Sequence, residues 1–372
     1  MEVSTTACDL AVVGGGPAGA ACAITAARAG ASVLLLEQGQ LPRHRVCGEF
    51  ISPESLNLLA TLLGPESRLL SDAPRITSAR ILVNGNIFAA PIEPAAASIP
   101  RHELDTALWH AAQSAGVDAR LQTTVESIAP GRLFTIKTAA RTFRARSVVN
   151  ATGRWSRFPR AALRKAYERA VGSKWIGIKA HFSEVNPSAS CDLYFFDGGY
   201  CGVQPVGESR LNVCAMVRAD VGASMQDFFT LHPELARRSQ QWHALMAPVT
   251  TSPLLFAPAE PDENGILFAG DAAGFIDPFV GDGIALALAG GALAAECLTP
   301  FCAAQVTLHE AVEHYRQSYK SRFGRVFRNA SLLRRLISAP PRMRTALIYG
   351  LRIPAVARWA VASTRGKAAF NS

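Results

Sequence analysis

Apolar runs alternate with glycine turns over the first 36 residues. The run Cys8–Val13 is followed by three glycines, the alanine-rich segment 17–30 ends in glycine, and Val33–Leu36 is apolar again. Short apolar runs are typical of strands buried on both faces, and an alanine-rich segment that ends in glycine is typical of a helix. This order predicts a strand, a helix and a second, parallel strand within about 30 residues.

Helical and strand patterns continue along the rest of the chain. Asn84-Gly85 between the apolar runs of residues 79–88 predicts a β-hairpin, and the alternation over 175–217 predicts an antiparallel sheet. Other strands are predicted at 117–127, 133–137, 147–150 and 266–268, and helices at 53–63, 101–115 and 283–298. The apolar stretch 284–298 has 15 residues, short of the roughly 20 that span a bilayer, so a buried helix is expected.

Composition excludes two classes of protein. Hydrophobic residues make up 49% of the 372 residues and charged residues 18%, whereas a disordered protein has too few apolar residues to form a core. Eight cysteines without a CxxC pair do not form the disulfide framework of a small secreted protein. Free thiols in apolar runs, and an N-terminus with no basic stretch before an apolar one, predict a cytoplasmic protein without a signal peptide.

The net charge of +9 comes from the C-terminal region. Residues 316–372 contain 13 of the 38 Lys and Arg residues and no Asp or Glu, which leaves 25 basic and 29 acidic residues elsewhere. A body that is slightly acidic predicts no binding of nucleic acid. Residues 331–363 mix Arg with apolar residues and contain three prolines. Two interpretations stay open: interfacial helices in peripheral contact with an anionic membrane, or a helical cap over the second domain.

Glycines after the first strand have the spacing of a dinucleotide-binding motif. Gly14-x-Gly16-x-x-Gly19 follows the strand and opens the helix. Gly14 permits the turn, Gly16 lets the backbone approach a pyrophosphate, and Gly19 lets the helix pack on the strand. Pro17 and Ala18 belong to the same site, because a helix N-terminus offers free N–H groups to phosphates.

An acidic residue completes this first motif. Glu37 ends the second strand, 23 residues after Gly14, and is placed with its neighbour Gln38 to bind a ribose. The motif alone is compatible with NAD and with FAD. No second GxGxxG motif is present, so a separate nicotinamide domain is not expected. His102 and His181 have no partners at metal-ligand spacing, and we predict no metal site.

A second glycine-rich segment, residues 265–284, favours FAD. It contains a strand, then Asp271, then Pro278, Gly281, Gly283 and Ile284 at the start of a helix. An Asp at a strand end can bind the ribityl or ribose hydroxyls of a flavin. N–H groups at a helix start can stabilise the negative charge that develops at the N1–C2=O edge of reduced flavin. A helix cap is the other interpretation of Asp271, and the upstream motif makes it the weaker one.

These motifs, with the loop Arg45-Val46-Cys47-Gly48-Glu49, resemble the geranylgeranyl reductase family of FAD-dependent oxidoreductases, in the p-hydroxybenzoate hydroxylase-like superfamily. The similarity covers residues 8–320. It implies that Arg45, Cys47 and Gly48 lie beside the isoalloxazine, that Arg101 contacts the pyrophosphate, and that the backbone at Val125 contacts the adenine. It also implies FAD as the cofactor and a hydrophobic small molecule as the substrate.

Pattern and resemblance together predict an α/β fold with a Rossmann-like FAD-binding domain. This domain is discontinuous and consists of residues 1–75, 100–172 and 262–300. An α+β substrate domain on an antiparallel sheet is predicted for residues 76–99 and 173–261, and a basic helical C-terminal region for 301–372.

The sequence departs from the family at two places. Gly202 and Gln204 stand where the family often has Trp and Phe, in the segment Gly199–Pro205, so a bulky aromatic wall is missing. Thr152 replaces the Asp of the Asp-Gly motif that related aromatic hydroxylases carry after the strand 147–150. The second departure weighs against a hydroxylase.

Cys47 is the candidate catalytic residue. A thiol next to Arg45 and a flavin can donate a proton to a substrate carbon after hydride transfer. The alternative is a small residue that packs under the flavin ring. Tyr194, Phe196 and Tyr200 are candidates for the substrate pocket, with ordinary sheet packing as the alternative.

The predicted function is reduction of a carbon–carbon double bond in a hydrophobic, isoprenoid or polyketide-like substrate, by hydride transfer from reduced flavin. One alternative is a flavin monooxygenase that hydroxylates an aromatic or quinone-like compound through a C4a-hydroperoxide. Another is a flavoprotein that binds a lipid or a partner without turnover. The sequence leaves the electron donor open: NAD(P)H, reduced ferredoxin or another reductant. The expected location is the cytoplasm, with peripheral membrane contact through the basic C-terminal region.

Overall fold

The computed structural model describes residues 2–3, 7–83, 85–154, 158, 175–222, 224–256, 258–278 and 281–337. Within these ranges the chain forms two nine-stranded sheets and eight α-helices. The prediction for the basic segment 331–363 falls mostly outside the described residues.

The strands are numbered in chain order. They are β1 (Glu2–Val3), β2 (Cys8–Val13), β3 (Val33–Leu36), β4 (Phe50–Ile51), β5 (Arg75–Val83), β6 (Asn86–Ser98), β7 (Asp118–Arg120), β8 (Val125–Ala129), β9 (Phe134–Thr138), β10 (Arg141–Asn150), β11 (Trp175–Ser183), β12 (Ser190–Phe196), β13 (Gly199–Gly207), β14 (Arg210–Arg218), β15 (His243–Ala244), β16 (Val249–Thr251), β17 (Asp262–Glu263) and β18 (Ile266–Phe268). The predicted hairpin at Asn84-Gly85 is confirmed, because β5 and β6 pair directly across that turn.

Several helices begin at a proline and end at a glycine, as the sequence predicts, whereas the helix predicted over 283–298 continues through Pro300 to Cys302. The helices are α1 (Pro17–Arg28), α2 (Pro53–Leu63), α3 (Arg68–Ser71), α4 (Arg101–Ser114), α5 (Met225–Thr230), α6 (Pro233–Ser239), α7 (Gly283–Cys302) and α8 (Leu308–Ile337). Prolines occupy the first positions of α1 and α2, and Gly30 and Gly64 after them have φ of 91° and 93°. These left-handed conformations stop the helices without strain, because glycine has no Cβ.

The first sheet brings four strand ends together. Its order is β17-β18-β10-β2-β3-β7, and β18, β10, β2, β3 and β7 run parallel. Asn150 pairs with both Val13 and Phe268, and Val13 pairs with Leu36. The glycine turn, Glu37, the segment 151–153 and the turn at Asp271 therefore leave the sheet along one edge, where open α/β sheets bind ligands.

One predicted strand, 117–127, is wrong as a single element. It divides into β7 and β8, which belong to different parts of the first sheet. The intervening backbone donates hydrogen bonds to the segment after β3, from Gln122 N to Gly39 O (3.1 Å) and from Thr123 N to Glu37 O (2.8 Å). Gln122 has a left-handed φ of 52°. The chain bends here to follow the rim of the ligand-binding edge.

The second sheet has the order β15-β11-β14-β13-β12-β5-β6-β4, with β16 beside β11. Helices α5 and α6 cover one face and bury a core that includes Phe228 and Leu235. The opposite face carries Tyr200 and Met216, which pack against Leu254 near the first sheet's ligand-binding edge. Strand β4 joins this sheet although it lies in a segment assigned to the FAD-binding domain, and the exact domain boundaries stay a prediction.

Helix α7 packs on α1 with unusual closeness. A Cβ on Gly291 would overlap the carbonyl oxygen of Ala18, so the two helix backbones are nearly in contact. By length and composition α7 could cross a membrane, but 67% of its most apolar window is buried inside the protein. It is the core helix that the sequence predicts, and α8 covers its outer side with Tyr315 and Phe323.

Candidate functional site

A cavity of about 650 Å³ extends from the ligand-binding edge of the first sheet to the second sheet. All of the residues that the sequence predicts to bind the cofactor line this cavity, except Gly19. The structure therefore brings two motifs together that lie more than 200 residues apart in the chain.

The glycine turn at one end of the cavity leaves no room for side chains. Gly14 has φ of 108°, and a Cβ on it would overlap the carbonyl oxygen of Ala151. A Cβ on Gly19 would overlap the carbonyl oxygen of Gly14, which explains why Gly19 lies behind the cavity wall. These contacts place the N-terminus of α1 against the cavity, where its free N–H groups can bind phosphate oxygens.

Glu37 has a buried carboxylate that faces the cavity. It accepts hydrogen bonds from Gly15 N and Gly39 N, both at 2.8 Å, and pairs with Arg43 Nη2 at 2.8 Å. Burial opposes ionisation, but Arg43 and the two N–H groups outweigh it and lower the pKa of Glu37. A carboxylate has about four acceptor positions, so this ionised group can still accept hydrogen bonds from a ribose.

Three arginines, Arg43, Arg45 and Arg101, line the cavity beside the glycine turn. Burial and then the charge of Arg43 lower the pKa of Arg45. Arg101 forms a bidentate pair with Asp105 at 2.8 Å, and Arg43 Nε is buried with no partner among the described residues. A cluster of like charges with an unused donor fits an anion with two charges, such as a pyrophosphate.

The second motif lies farther along the cavity. Asp271 is in the 3₁₀ turn Gly270–Ala272, 3.5 Å from Arg154 Nε. Burial raises the pKa of Asp271 although Arg154 opposes the rise. Helix α7 begins at Gly283 and points its N–H groups at the cavity, after Gly281 with φ of 79°. A polar ligand that bonds this carboxylate would replace some of the water that burial removes.

The loop 45–49 at the far end of the cavity is held by the second sheet. Asn212 Nδ2 donates to the carbonyl oxygens of Cys47 and Gly48, at 3.0 and 2.8 Å. The fully buried carboxylate of Glu49 accepts from Lys179 Nζ and lies 2.8 Å from His181 Nε2. Burial opposes ionisation, but His181 and Lys179 outweigh it and lower the pKa of Glu49.

This buried ion pair is not predicted from the sequence. The only signal is a lysine and a histidine in the strand β11, whose other residues are mostly apolar and mostly buried. A lysine is rarely buried unless it is paired. The pattern therefore indicates that Lys179 has a buried partner. It does not identify this partner as Glu49, which lies 130 residues earlier in the chain.

None of the three predicted substrate-pocket aromatics lines the cavity. Tyr194 and Phe196 instead face α5 and α6, and the Tyr194 hydroxyl accepts from Arg238 Nη1 at 3.0 Å. Tyr200 lies on the other face of the sheet, in a cluster that reaches Phe275 in the cavity wall. Side chains alternate along a strand, so Phe195 rather than its neighbours shares the face of Tyr200.

The arrangement fits FAD. The carboxylate and the three arginines suit a ribose and a pyrophosphate at one end, and Asp271 and the start of α7 suit a flavin beyond them. Because the adenosine half belongs beside Glu37, the isoalloxazine belongs at the other end, near Cys47 and the second sheet. Thr152, which lines the cavity, donates a hydrogen bond from its hydroxyl to Asn150 Oδ1 at 2.7 Å.

The chain belongs to the FAD-binding domain family, whose sequence description matches residues 7–323. It is 27% identical over 389 residues to a menaquinone reductase of Mycolicibacterium smegmatis, covering 94% of this chain and 91% of that one. It is 27% identical to digeranylgeranylglycerophospholipid reductase 2 of Methanopyrus kandleri, covering 87% and 84%. A flavin-dependent brominase has the same fold, with a TM-score of 0.78 at 19% identity and coverage of 98% and 95%.

These findings confirm the resemblance to the geranylgeranyl reductases and define the protein as an FAD-dependent oxidoreductase. The brominase shows that the same fold also serves other flavin chemistry.

Proposed function

We propose that this protein reduces a carbon–carbon double bond of a hydrophobic, isoprenoid-like substrate. The observation that carries the proposal is the apolar lining at the flavin end of the cavity. This lining consists of Val46, Phe50, Val249, Phe275 and Ile276. It continues behind Phe275 into a partly buried aromatic face of the second sheet. The names of the two relatives, a quinone reductase and a geranylgeranyl lipid reductase, agree with such a substrate.

When bound, the flavin supplies the hydride, and the protein supplies orientation, a dry site and a proton. Cys47 is our candidate for the proton donor, and its Sγ lies 3.3 Å from Glu49 N and in contact with the Arg101 guanidinium. These two donors and the bonds from Asn212 to the loop fix the thiol at the flavin end. The Cys47 Sγ–H is the group that we assign to protonate the substrate carbon.

The test uses chemically reduced holoprotein, so it does not depend on whether NAD(P)H or reduced ferredoxin is the natural donor. Dithionite-reduced protein is mixed without oxygen with menaquinone or a geranylgeranyl lipid in detergent, and the products are analysed by mass spectrometry. We expect a product that keeps two added hydrogens after air has reoxidised any quinol, because only hydrogens added to a carbon–carbon double bond remain. No such product from either substrate, or a product that contains oxygen after air is admitted, would contradict the proposal, and the second result would favour a monooxygenase.

Substitution of Cys47 tests the assigned proton donor separately. Cys47→Ala is expected to bind FAD normally and to form product at least about a hundredfold more slowly, the lower end of what general acids contribute. Cys302→Ala is the matched control, because Cys302 is also a partly buried free thiol but lies at the end of α7 away from the cavity. Equal rates for the wild type and Cys47→Ala would remove Cys47 from the mechanism.

A further inference from the structure

Three histidines meet beside the flavin end of the cavity. The ring centroids of His44 and His102 are 4.4 Å apart, and His181 lies 5.4 Å from His44 and 6.2 Å from His102. His181 is buried, whereas His44 and His102 are partly exposed. They come from the loop before Cys47, from α4 and from β11, so the fold rather than the local sequence assembles the cluster.

The cluster reaches inward to the cavity through Glu49. His181 Nε2 is 2.8 Å from Glu49 Oε2, and the other oxygen of this carboxylate accepts from Lys179 and from Arg101 N at 2.7 Å. Glu49 and His44 both line the cavity, and the Glu49 N–H contacts Cys47 Sγ. A proton on His181 is therefore one hydrogen bond away from the wall of the reacting end.

The cluster reaches outward to solvent through His102. Its Nε2 is 3.5 Å from Glu103 Oε1, and the Glu103 side chain is 37% exposed and pairs with Arg210 at 3.1 Å. The Nδ1 atoms of His44 and His102 are buried and have no hydrogen-bond partner among the described residues. Buried polar atoms without a protein partner are typical binding sites for ordered water, and such water can carry a proton between these ring nitrogens.

The charge state of the cluster suits proton transfer. Burial lowers the pKa of both His44 and His102, and the nearby charges of Lys179 and His181 lower it further. The charge of Glu49 opposes both of these shifts. Glu103 also opposes the shift of His102. Both rings are consequently neutral at pH 7, and a neutral imidazole has one nitrogen that accepts a proton and one that donates.

We propose that His102, His44 and His181 conduct protons between solvent and the flavin end of the cavity, with Glu49 as the inner terminus. In the proposed reduction, on which this physiological role rests, the hydride carries two electrons to the substrate. One further proton leaves the donor in the cavity, and one proton from water replaces it through the cluster. No other group is oxidised or reduced.

The test needs no substrate, so it is independent of the proposed function. Reduced holoprotein, without oxygen and in unbuffered solution with a pH-indicator dye, is mixed with ferricyanide in a stopped-flow spectrometer. Two ferricyanide ions take the two electrons, and the proton on N5 of the reduced flavin goes to water. Flavin oxidation is followed by its visible absorbance and proton release by the dye. In the wild type we expect both signals to advance together.

Variants of the outer histidines decide the question. In His44→Gln and in His102→Gln we expect the dye signal to lag behind flavin oxidation by about tenfold, because a general acid or base contributes at least that much. His110→Gln is the matched control, since His110 is exposed on the same helix as His102. A visible spectrum of bound FAD must be equal in all proteins. Proton release in step with flavin oxidation in both outer variants would overturn the proposal.

Discussion

Replacing Lys179 by Met tests whether the buried ion pair holds the flavin-side loop. Lys179 and Glu49 are both fully buried, and methionine keeps the length of the side chain without its charge. Removing one partner of a buried pair costs about 3–5 kcal/mol, because the remaining charge is left in a medium of low dielectric constant. Glu49 keeps its bonds from Arg101 N and His181, so we expect the lower limit, about 3 kcal/mol.

The assay is urea unfolding followed by tryptophan fluorescence, at one fixed and saturating concentration of FAD. The double variant Lys179→Met/Glu49→Gln removes both charges and should lose less free energy of unfolding than Lys179→Met alone. Lys320→Met, on an exposed position of α8, is the control and should change it by less than about 0.5 kcal/mol. The reasoning is refuted if Lys179→Met matches this control, or if the double variant is no more stable than the single one.

The same pair predicts a direction for the pH dependence of stability. The pKa of Glu49 is lower in the folded protein than its ordinary value of 4.5. A carboxyl group whose pKa is lower in the folded than in the unfolded protein makes its full contribution to stability at pH values above its unfolded-state pKa. This contribution is lost as the pH falls through the folded-state pKa. The wild type should therefore lose stability below about pH 4.5, and Glu49→Gln should lose less over the same range.

Three further predictions concern the cofactor site and the C-terminal region. Gly19→Ala should purify without FAD, as judged by visible absorbance, because the added Cβ would overlap the Gly14 carbonyl. Gly324→Ala is the control and should keep its FAD, because the space around its Cβ is open. Asp271→Asn should weaken FAD binding in a fluorescence titration by about tenfold or more, the value of a hydrogen bond to a charged group; unchanged affinity would leave Asp271 a role in the turn alone. Full-length protein should sediment with anionic liposomes more strongly than a chain that ends at Ile337, and equal sedimentation would exclude membrane contact through residues 338–372.

The first βαβ unit and the second glycine turn could be predicted because their signals are local. Gly14, Gly19 and Gly281 are required by backbone geometry that a few neighbouring residues determine, and the apolar runs report which strands are buried. The spacing rules for these turns also identify the ligand class, since a pyrophosphate needs the same N–H groups in any protein of this fold.

The far end of the cavity could not be predicted because it depends on pairing between distant segments. Strand alternation places Tyr194 and Phe196 on one face and Phe195 on the other, but it does not reveal which face turns toward the cofactor. In the same way, Lys179 signals a partner without identifying Glu49. Both answers depend on how the second sheet docks on the first, which is a property of the tertiary structure.

The near contact between Gly291 and the Ala18 carbonyl determines the distance between the N-termini of α7 and α1. Gly291 is eight residues beyond Gly283, so α7 places its N-terminus about 12 Å along its axis from that of α1. Gly291 does not line the cavity, although Ala287 one turn before it does, and its contact with Ala18 fixes the span between the two sets of N–H groups. These two sets of N–H groups serve a phosphate and a flavin ring, both of which FMN also contains, so selection for the dinucleotide rests on the ribose site at Glu37.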